Sequence, residues 1–312
     1  MPGQRRPRPA TEVNSQMNYH ILVSDPIHPE ALDWLREQPE VELDVRPEIP
    51  PEELRDELGQ YDALILRSRT RIGPAELAAA DSLRVIGRAG TGLDNIDLPT
   101  AQARGITVLN TPGANASAVA ELTLGLLLAI ARDLPRALST QQKSLGMELA
   151  DKRLGIIGFG QVGARVAQLA KAFGMKILAY DLVDRRALAQ ELGVQLAQLT
   201  ELLAGSDFVS LHLPLTDETR RLINDDTLGQ MAPGASLLNT ARAEIVDEVA
   251  VVRALDSKRL HRYAADIYSR QSPLLRHPAA LLTPHIGAST PEAQRRAGLE
   301  IARRVLTALQ AL

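Results

Sequence analysis

A glycine-rich turn between an apolar run and a helical one is the strongest constraint on the fold of this chain. In LGIIGFGQVGARVAQLAKAFGMKILAYD the glycines are Gly158, Gly160 and Gly163. Asp181 closes the next apolar run, eighteen residues beyond the third glycine. The glycines permit a tight turn and a close approach of backbone to a pyrophosphate, and the amino terminus of the helix supplies N–H donors. The segment predicts a strand–helix–strand unit that binds a dinucleotide.

The acidic residue at the end of the second strand indicates which dinucleotide. Asp181 would accept hydrogen bonds from the adenosine ribose and repel a 2′-phosphate, which favours NAD over NADP. Arg185 and Arg186 follow closely and leave NADP open as the alternative. A glycine triplet alone is equally compatible with an ordinary strand-to-helix turn, but strand, helix and acid together favour nucleotide binding.

Short apolar runs alternate with helical stretches on both sides of this segment. A first series of runs lies at 20–25, 63–68 and 83–90, and a second at 152–160, 176–181, 208–213, 236–241 and 263–268. Such alternation is typical of parallel sheets with crossover helices. The sequence predicts an α/β fold with two doubly wound parallel-sheet domains, Rossmann-like or flavodoxin-like.

Two long helical stretches, 116–138 and 291–312, predict how the chain is divided. Their positions suggest that the chain leaves the first unit, forms the second unit, and then returns to the first. We expect 18–112 and 288–312 to form one discontinuous domain, split around a dinucleotide domain of 113–287.

Composition excludes several classes of protein. The 312 residues carry a net charge of −3 and are 45% hydrophobic, which predicts a globular chain with no nucleic-acid partner. The uncharged apolar run 122–131 is half of what a bilayer requires, so we expect a buried helix and no membrane partner. The absence of cysteine excludes thiolate zinc sites, no metal is predicted, and a cytoplasmic location is expected.

Residues 1–17, rich in Pro and Arg, are expected to be a disordered leader, with a transit peptide or basic arm as alternatives.

Arg242 and His285 follow strand-like runs, at the edge where open α/β sheets bind ligands. An Arg that pairs with a carboxylate and a His that moves a proton are the groups needed to oxidise a 2-hydroxy acid by hydride transfer. Taken singly, Arg242 could cap a helix and His285 could be a turn residue. An acid–base histidine usually has a carboxylate partner, yet none of the eighteen residues between Asp266 and His285 is Asp or Glu.

Seven motifs resemble one known family: RSRT, GRAGTGLDNIDL, NTPGANASAVAELTLGLLLAIAR, GIIGFGQVG, HLPLTDET, NTARAEIVDE and TPHIGASTPEAQ. From about residue 20 to 305 the chain is similar to the D-isomer-specific 2-hydroxyacid dehydrogenases, and most to their 3-phosphoglycerate dehydrogenase branch. The resemblance implies a split substrate-binding domain enclosing an NAD domain, a cleft between them, a small 2-hydroxy acid as substrate and a homodimer. In the phosphoglycerate branch the reaction is 3-phosphoglycerate to 3-phosphohydroxypyruvate, in serine biosynthesis.

The resemblance also implies roles for individual residues. Arg242 would hold the substrate carboxylate, His285 would be the general acid–base, and Arg67 and Arg69 would meet a substrate phosphate unless they are only a solvated loop pair. Further substrate contacts would come from Gly90, Thr91 and Gly92. The implied cofactor contacts are Thr91, Gly158, Gly160, Gln161, Val162, Gly163, Asp181, His212, Pro214, Thr240, Ala241, Arg242, Asp266, His285, Gly287 and Ala288.

Departures from the family pattern bear on activity. Members carry a Glu five residues after the counterpart of Asp266, paired with the histidine, and here that position is Gln271, which we count with the catalytic residues. Formate dehydrogenases of the same superfamily resemble this chain in having Gln there. The stretch 139–153 is shorter than in relatives, Ala243 stands where Gly is usual, and the chain ends at 312, so appended regulatory domains are expected to be absent.

Three functions remain open at this point: a 3-phosphoglycerate dehydrogenase, a reductase of hydroxypyruvate or glyoxylate, and an NAD-binding sensor or scaffold with weakened catalysis.

Overall fold

The computed structural model describes residues 18–312, and the predicted leader lies outside that range. These residues divide into two compact units. Unit 1 comprises 18–89, 93–110 and 298–312, and unit 2 comprises 90–92 and 111–297.

Unit 1 is built on a five-stranded sheet in the order β2-β1-β3-β4-β5, with every neighbouring pair parallel. Its strands are β1 (Tyr19–Val23), β2 (Val41–Val45), β3 (Ala63–Leu66), β4 (Val85–Arg88) and β5 (Thr107–Leu109). Its helices are α1 (Pro29–Arg36), α2 (Pro51–Glu57), α3 (Pro74–Ala78) and α4 (Leu98–Ala103), with a short 3₁₀ turn at Leu58–Gln60. The central strand β3 is buried along its whole length, as a strand covered on both faces must be.

Unit 2 is built on a seven-stranded parallel sheet in the order β12-β11-β10-β9-β6-β7-β8. Its strands are β6 (Arg153–Ile157), β7 (Lys176–Tyr180), β8 (Gln195–Leu196), β9 (Phe208–Leu211), β10 (Ala235–Asn239), β11 (Leu260–Ala265) and β12 (Ala280–Leu282). Its helices are α5 (Ala116–Ala131), α6 (Leu134–Thr140), α7 (Gln161–Ala172), α8 (Arg186–Leu192), α9 (Leu199–Gly205), α10 (Asp225–Gln230) and α11 (Glu248–Asp256). Two 3₁₀ turns lie at Ala243–Ile245 and Pro273–Arg276. The predicted fold class of two doubly wound parallel sheets is thus confirmed.

The helix predicted over 116–138 is wrong in one respect, because it breaks into α5 and α6. Asp133 between them has a φ of 50°, outside the helical region. Its carboxylate accepts a hydrogen bond from Arg262 at 2.9 Å, and Pro135 occupies the first turn of α6. A proline cannot continue a helix through its own position, although it is well tolerated at a helix start.

The last helix, α12 (Pro291–Ala311), crosses the division between the units, which falls at 297/298 rather than at the expected 287/288. Within unit 2, the Nε of Arg296 donates to the carbonyl of Ala114 at 2.9 Å. Within unit 1, the α-carbon of Gly298 packs against α1, where a Cβ would lie 3.1 Å from that of Ala31. One continuous helix therefore contributes its first turns to unit 2 and the remainder to unit 1. At the other boundary, the division lies at 110/111, against an expected 112/113.

Among residues 18–312, no helix combines the length and the apolar character needed to cross a membrane.

The packing of α12 on the unit 1 sheet yields a test. A Cβ on Gly87 of β4 would lie 2.4 Å from Cγ2 of Val305 and 2.9 Å from Cγ1 of Ile301. Gly87→Ala should therefore lower the free energy of unfolding by about 1–3 kcal/mol through overpacking. Val305→Ala opens the space that the new methyl group needs, so the double variant should lose less stability than the two single variants together. Urea unfolding of the four proteins measures this coupling, and strict additivity would contradict the packing.

Candidate active site

The carboxyl ends of two neighbouring strands mark the point in unit 2 where the strand order reverses. From β6 the chain runs outward to β7 and β8, then returns to β9 on the other side of β6. Open α/β sheets bind ligands in the crevice at such a switch point. Gly158 follows β6 and His212 follows β9, so two predicted cofactor contacts lie at this crevice.

Each of the three glycines in the turn has different surroundings, and these show what a larger side chain would do there. Gly158 has a φ of 94°, and a Cβ there would lie 2.6 Å from the backbone of His212. A Cβ on Gly163 would lie 2.1 Å from the carbonyl oxygen of Gly158, so α7 can approach the strand only with glycine at that position. A Cβ on Gly160 would meet nothing within 4 Å, which leaves open space at the amino terminus of α7. Space beside backbone donors at this point fits a pyrophosphate group.

Asp181 is fixed by backbone donors on both sides. Its Oδ2 accepts from the N–H of Phe159 in the glycine turn at 2.7 Å, and its Oδ1 accepts from the N–H of Val183 at 2.9 Å. The Nε of Arg185 lies 3.3 Å from Oδ2. The carboxylate thus lies beside the glycine turn, as ribose binding requires.

His212 presents an unsatisfied polar atom at the same crevice. Its Nε2 lies 2.8 Å from Oγ of Ser210, while its Nδ1 is buried with no hydrogen-bond partner among the described residues. Burial lowers the pKa of His212 to about 3, so the ring is neutral at physiological pH. Buried polar atoms in native structures are normally paired, so an orphan here fits a ligand that supplies the partner.

Several smaller contacts shape the remainder of the predicted cofactor site. Gly113, with a φ of 80°, packs directly under the side chain of Gln161, whose Oε1 would lie 1.5 Å from a Cβ there. Oγ1 of Thr240 lies 3.0 Å from Oγ1 of Thr123 on α5, in a buried contact. Thr91 Oγ1 lies 3.1 Å from Oδ1 of Asn115. Of the other predicted residues in unit 2, Val162 and Ala288 are half-buried, Ala241 is buried and Pro214 is exposed.

Arg242 is held at the carboxyl end of β10 by the amide of Asn239. Asn239 is fully buried; its Oδ1 accepts from the N–H of Ala241 at 3.0 Å and its Nδ2 donates to the carbonyl of Arg242 at 2.9 Å. The half-buried Arg242 side chain donates from Nη1 to the carbonyl of Ala241 at 2.7 Å. The turn fixes the backbone from which the guanidinium extends.

His285 is exposed and lies on a loop organised by Asp266, whose carboxylate is 2% exposed at the end of β11. Asp266 accepts from Oγ1 of Thr283 at 2.6 Å and from the N–H groups of Ile286 and Gly287 at 2.8 and 2.7 Å. Its carbonyl accepts from the N–H of His285 at 2.9 Å. These bonds hold His285 at a φ of 55°, a conformation that is uncommon for non-glycine residues and is concentrated at functional sites.

Arg242 and His285 lie at the same edge of one sheet. They follow β10 and β12, which are separated by β11 alone, so their backbones are about two strand spacings, or roughly 10 Å, apart. Gln271 is exposed in the turn after β11, and the same turn is anchored by Glu248, which accepts from Ser269 N–H at 2.9 Å and from its hydroxyl at 2.5 Å.

The RSRT loop lies at the switch point of unit 1, between β1 and β3. Asp25, 1% exposed, accepts from the N–H groups of Arg67 and Thr70 at 2.6 and 3.2 Å and from the Thr70 hydroxyl at 2.7 Å. The Arg67 guanidinium donates to the carbonyl of Pro26 at 3.2 Å. Arg69 instead pairs with two acids, Asp25 at 3.6 Å and Glu48 at 3.2 Å.

Sequence reasoning missed Asp25 and Asn239, which position the predicted arginines without being expected to touch a ligand. A signal for Asp25 was present. HILVSD closes on Asp25 as KILAYD closes on Asp181, so in each unit an acid that ends an apolar run lies at the carboxyl end of a strand.

The sequence profile of the D-isomer specific 2-hydroxyacid dehydrogenase NAD-binding domain matches residues 124–287. The chain belongs to this family. Its cofactor is NAD, and both the resemblance and the cofactor inferred from the sequence are confirmed.

Relatives with different activities match this chain at nearly the same sequence identity. The chain is 40% identical over 305 residues to a hydroxypyruvate reductase of Thermotoga maritima, covering 93% of this chain and 98% of that protein. It is 39% identical over 302 residues to a D-3-phosphoglycerate dehydrogenase of Methanocaldococcus jannaschii, covering 93% of this chain but only 57% of that protein. The NAD⁺-bound 3-phosphoglycerate dehydrogenase of Entamoeba histolytica superposes with a TM-score of 0.82 at 31% identity, covering 94% and 96% of the two chains.

The position of Asp181 predicts the nucleotide preference. We expect NADH to bind more tightly than NADPH, because the carboxylate accepts from ribose hydroxyls and repels a 2′-phosphate. Asp181→Asn keeps an acceptor for only one of the two backbone donors and removes the charge, so it should weaken NADH binding and narrow the difference between the NADH and NADPH binding free energies by about 1–3 kcal/mol. Fluorescence titrations of both nucleotides against both proteins measure the gap. Equal binding of NADH and NADPH by the unmodified protein would contradict the assignment.

Proposed function

We propose that this chain is an NAD-dependent dehydrogenase of a D-2-hydroxy acid, with 3-phosphoglycerate as its substrate and 3-phosphohydroxypyruvate as the product. The observation that carries the proposal is the pairing of an arginine and a histidine, Arg242 and His285, on turns fixed by buried polar groups at one sheet edge. Long side chains that start from backbones about 10 Å apart can converge on the carboxylate of a small hydroxy acid and on the hydroxyl of the adjacent carbon.

In this mechanism Arg242 binds the substrate carboxylate and His285 accepts the proton of the 2-hydroxyl group. The carbon–hydrogen bond at C2 breaks at the same time, and its electron pair leaves as hydride while the carbonyl forms. NAD, when bound, supplies the acceptor for that hydride. Residues that would hold the nucleotide are the glycine turn, Asp181 and His212. Reduction of the keto acid runs the same steps in reverse, with His285 donating the proton.

The phosphate of the substrate is assigned to the RSRT loop. Its backbone is preorganised by Asp25, and it lies at the switch point of unit 1, where a sheet of this order binds ligands. Of the two arginines, Arg67 is the better candidate. Its guanidinium donates to a carbonyl, and no ion pair of Arg67 is found among the contacts of residues 18–312. Arg69 must first give up one or both of its acidic partners.

The second candidate is a reductase of hydroxypyruvate or glyoxylate. Pairing of Arg69 with Asp25 and Glu48 favours it, because that pairing reduces the positive charge offered to a phosphate. The full-length match to a hydroxypyruvate reductase supports the same candidate. The homodimer, the cytoplasmic location and the place in serine biosynthesis stay predictions from the resemblance.

Single substitutions in the RSRT loop separate these candidates. Arg67→Ala should lower kcat/KM for 3-phosphoglycerate by about 10–100-fold, since it removes a charge-assisted bond, while D-glycerate oxidation changes little. Arg69→Ala should cost less than Arg67→Ala, because its guanidinium is already committed to two carboxylates. The measurement is initial rates of NADH formation with both substrates. A loss of equal size for the two substrates would show that Arg67 only shapes the loop, and the substrate would then be an unphosphorylated acid.

The Gln at position 271 predicts a site that is assembled but weakened. Oxidation requires neutral His285, and a carboxylate beside the ring stabilises the imidazolium and raises its pKa above the unperturbed value of about 6.5. Gln271→Glu should therefore move the acid limb of the pH–rate profile to higher pH and speed turnover, since general acid–base catalysis supplies roughly 10²–10⁴-fold. Rates at saturating NAD between pH 5 and 9 measure this, with His285→Ala as the inactive control. An unmoved profile, together with His285→Ala as fast as the parent, would favour an NAD-binding sensor or scaffold.

A further inference from the structure

Arg185 stands beside the residue that is expected to exclude NADP. Its Nε lies 3.3 Å from Oδ2 of Asp181, and its side chain is 34% exposed against 10% for the aspartate. In NAD-binding folds of this type, the acid at this position lies against the 2′-hydroxyl of the adenosine ribose. The guanidinium of Arg185 is therefore adjacent to the place where the 2′-phosphate of NADP would lie.

Asp181 does not depend on Arg185 for its position. Backbone N–H groups of Phe159 and Val183 bind its two oxygens, at 2.7 and 2.9 Å. If Arg185 turns away, the carboxylate keeps two hydrogen bonds and is not left as an unpaired charge. The ion pair is also partly exposed, and such pairs contribute little to stability. Moving the guanidinium from Asp181 to another anion therefore costs little free energy.

The pair also weakens the repulsion that Asp181 exerts. A carboxylate with a guanidinium at 3.3 Å presents a smaller net negative potential to an approaching phosphate than an isolated carboxylate does. Arginine moreover binds phosphate oxygens through two parallel N–H donors, which gives it an advantage over a point charge.

The next residue provides a contrast. Arg186 forms a bidentate pair with Asp184, with Nε to Oδ1 at 3.0 Å and Nη2 to Oδ2 at 2.7 Å. This pair lowers the pKa of Asp184 to about 2. Arg186 therefore has a local carboxylate that is not part of the nucleotide crevice, and its side chain is 84% exposed.

We infer that the nucleotide site also accepts NADP(H), more weakly than NAD(H), and that Arg185 is the residue that binds the 2′-phosphate. The inference rests on the proposed position of the dinucleotide at the glycine turn, and it concerns the cofactor alone, not the hydroxy acid.

The test is nucleotide binding by the full chain, without substrate. NADH and NADPH are titrated by nicotinamide fluorescence, and 5′-AMP and 2′,5′-ADP are used as competitors that differ only in the 2′-phosphate. For Arg185→Ala we expect the dissociation constant of NADPH to rise about tenfold and that of NADH to change less than twofold. Arg185→Lys should recover part of the loss, and the control Arg186→Ala should leave both constants within about twofold of the parent.

Three results would overturn the inference. One is an equal loss for NADH and NADPH in Arg185→Ala, which would mean that the residue only supports the loop. Another is a loss of NADPH affinity in Arg186→Ala as large as that in Arg185→Ala, which would mean that the positive charge of the loop matters and not the position of Arg185. The third is a parent that binds NADH but shows no NADPH binding at a hundredfold higher concentration. Failure to bind either nucleotide would instead remove the proposed cofactor position itself, and this inference with it.

Discussion

Carboxylates that are buried or nearly buried, at the carboxyl ends of parallel strands, hold the loops of the candidate sites in both units. Asp25 after β1, Asp181 after β7 and Asp266 after β11 each accept backbone N–H groups from the loop that follows a neighbouring strand. Loop N–H groups at this edge have left the sheet ladder and need acceptors, and a buried unsatisfied group costs about 1–3 kcal/mol. A carboxylate offers several acceptor positions, so one side chain can satisfy a whole turn. Each loop is therefore held in shape by the acid at the end of the strand that lies beside it in the sheet.

The same arrangement fixes the backbone of the loop that carries His285. The carboxylate of Asp266 accepts the N–H groups of Ile286 and Gly287, and its carbonyl accepts the N–H of His285. Under the proposed function, the orientation of this loop and the proton affinity of the His285 ring would be set by different residues. A substitution at Gln271 is then expected to change the proton affinity and to leave the loop backbone intact.

The elements that the sequence predicted are those with strong apolar periodicity. The central strands of both sheets are buried along their length and are mostly apolar in sequence. The strands that sequence reasoning missed are β2, β5 and β8, and all three lie at sheet edges. VELDV is mostly half-buried, and β8 is two exposed residues, because an edge strand has fewer neighbours to cover it. The break at Asp133 was missed for another reason: it depends on Arg262, more than a hundred residues away, and no local pattern reports such a contact.

Electrostatics distinguish the three loop-holding acids. Placing negative charge at the edges where anionic ligands bind would oppose binding unless something balances it. Asp25 and Asp181 each have an arginine at 3.6 and 3.3 Å, whereas Asp266 is balanced, in the described part of the chain, by two backbone N–H groups and a hydroxyl. Arg69 and Arg185 are therefore cations already positioned beside a carboxylate, and under the proposed function each would reach a ligand phosphate only by leaving that carboxylate. At Asp266 the balancing groups are backbone donors and a hydroxyl, so the loop that carries His285 is held by fixed groups and not by a side chain that can move away.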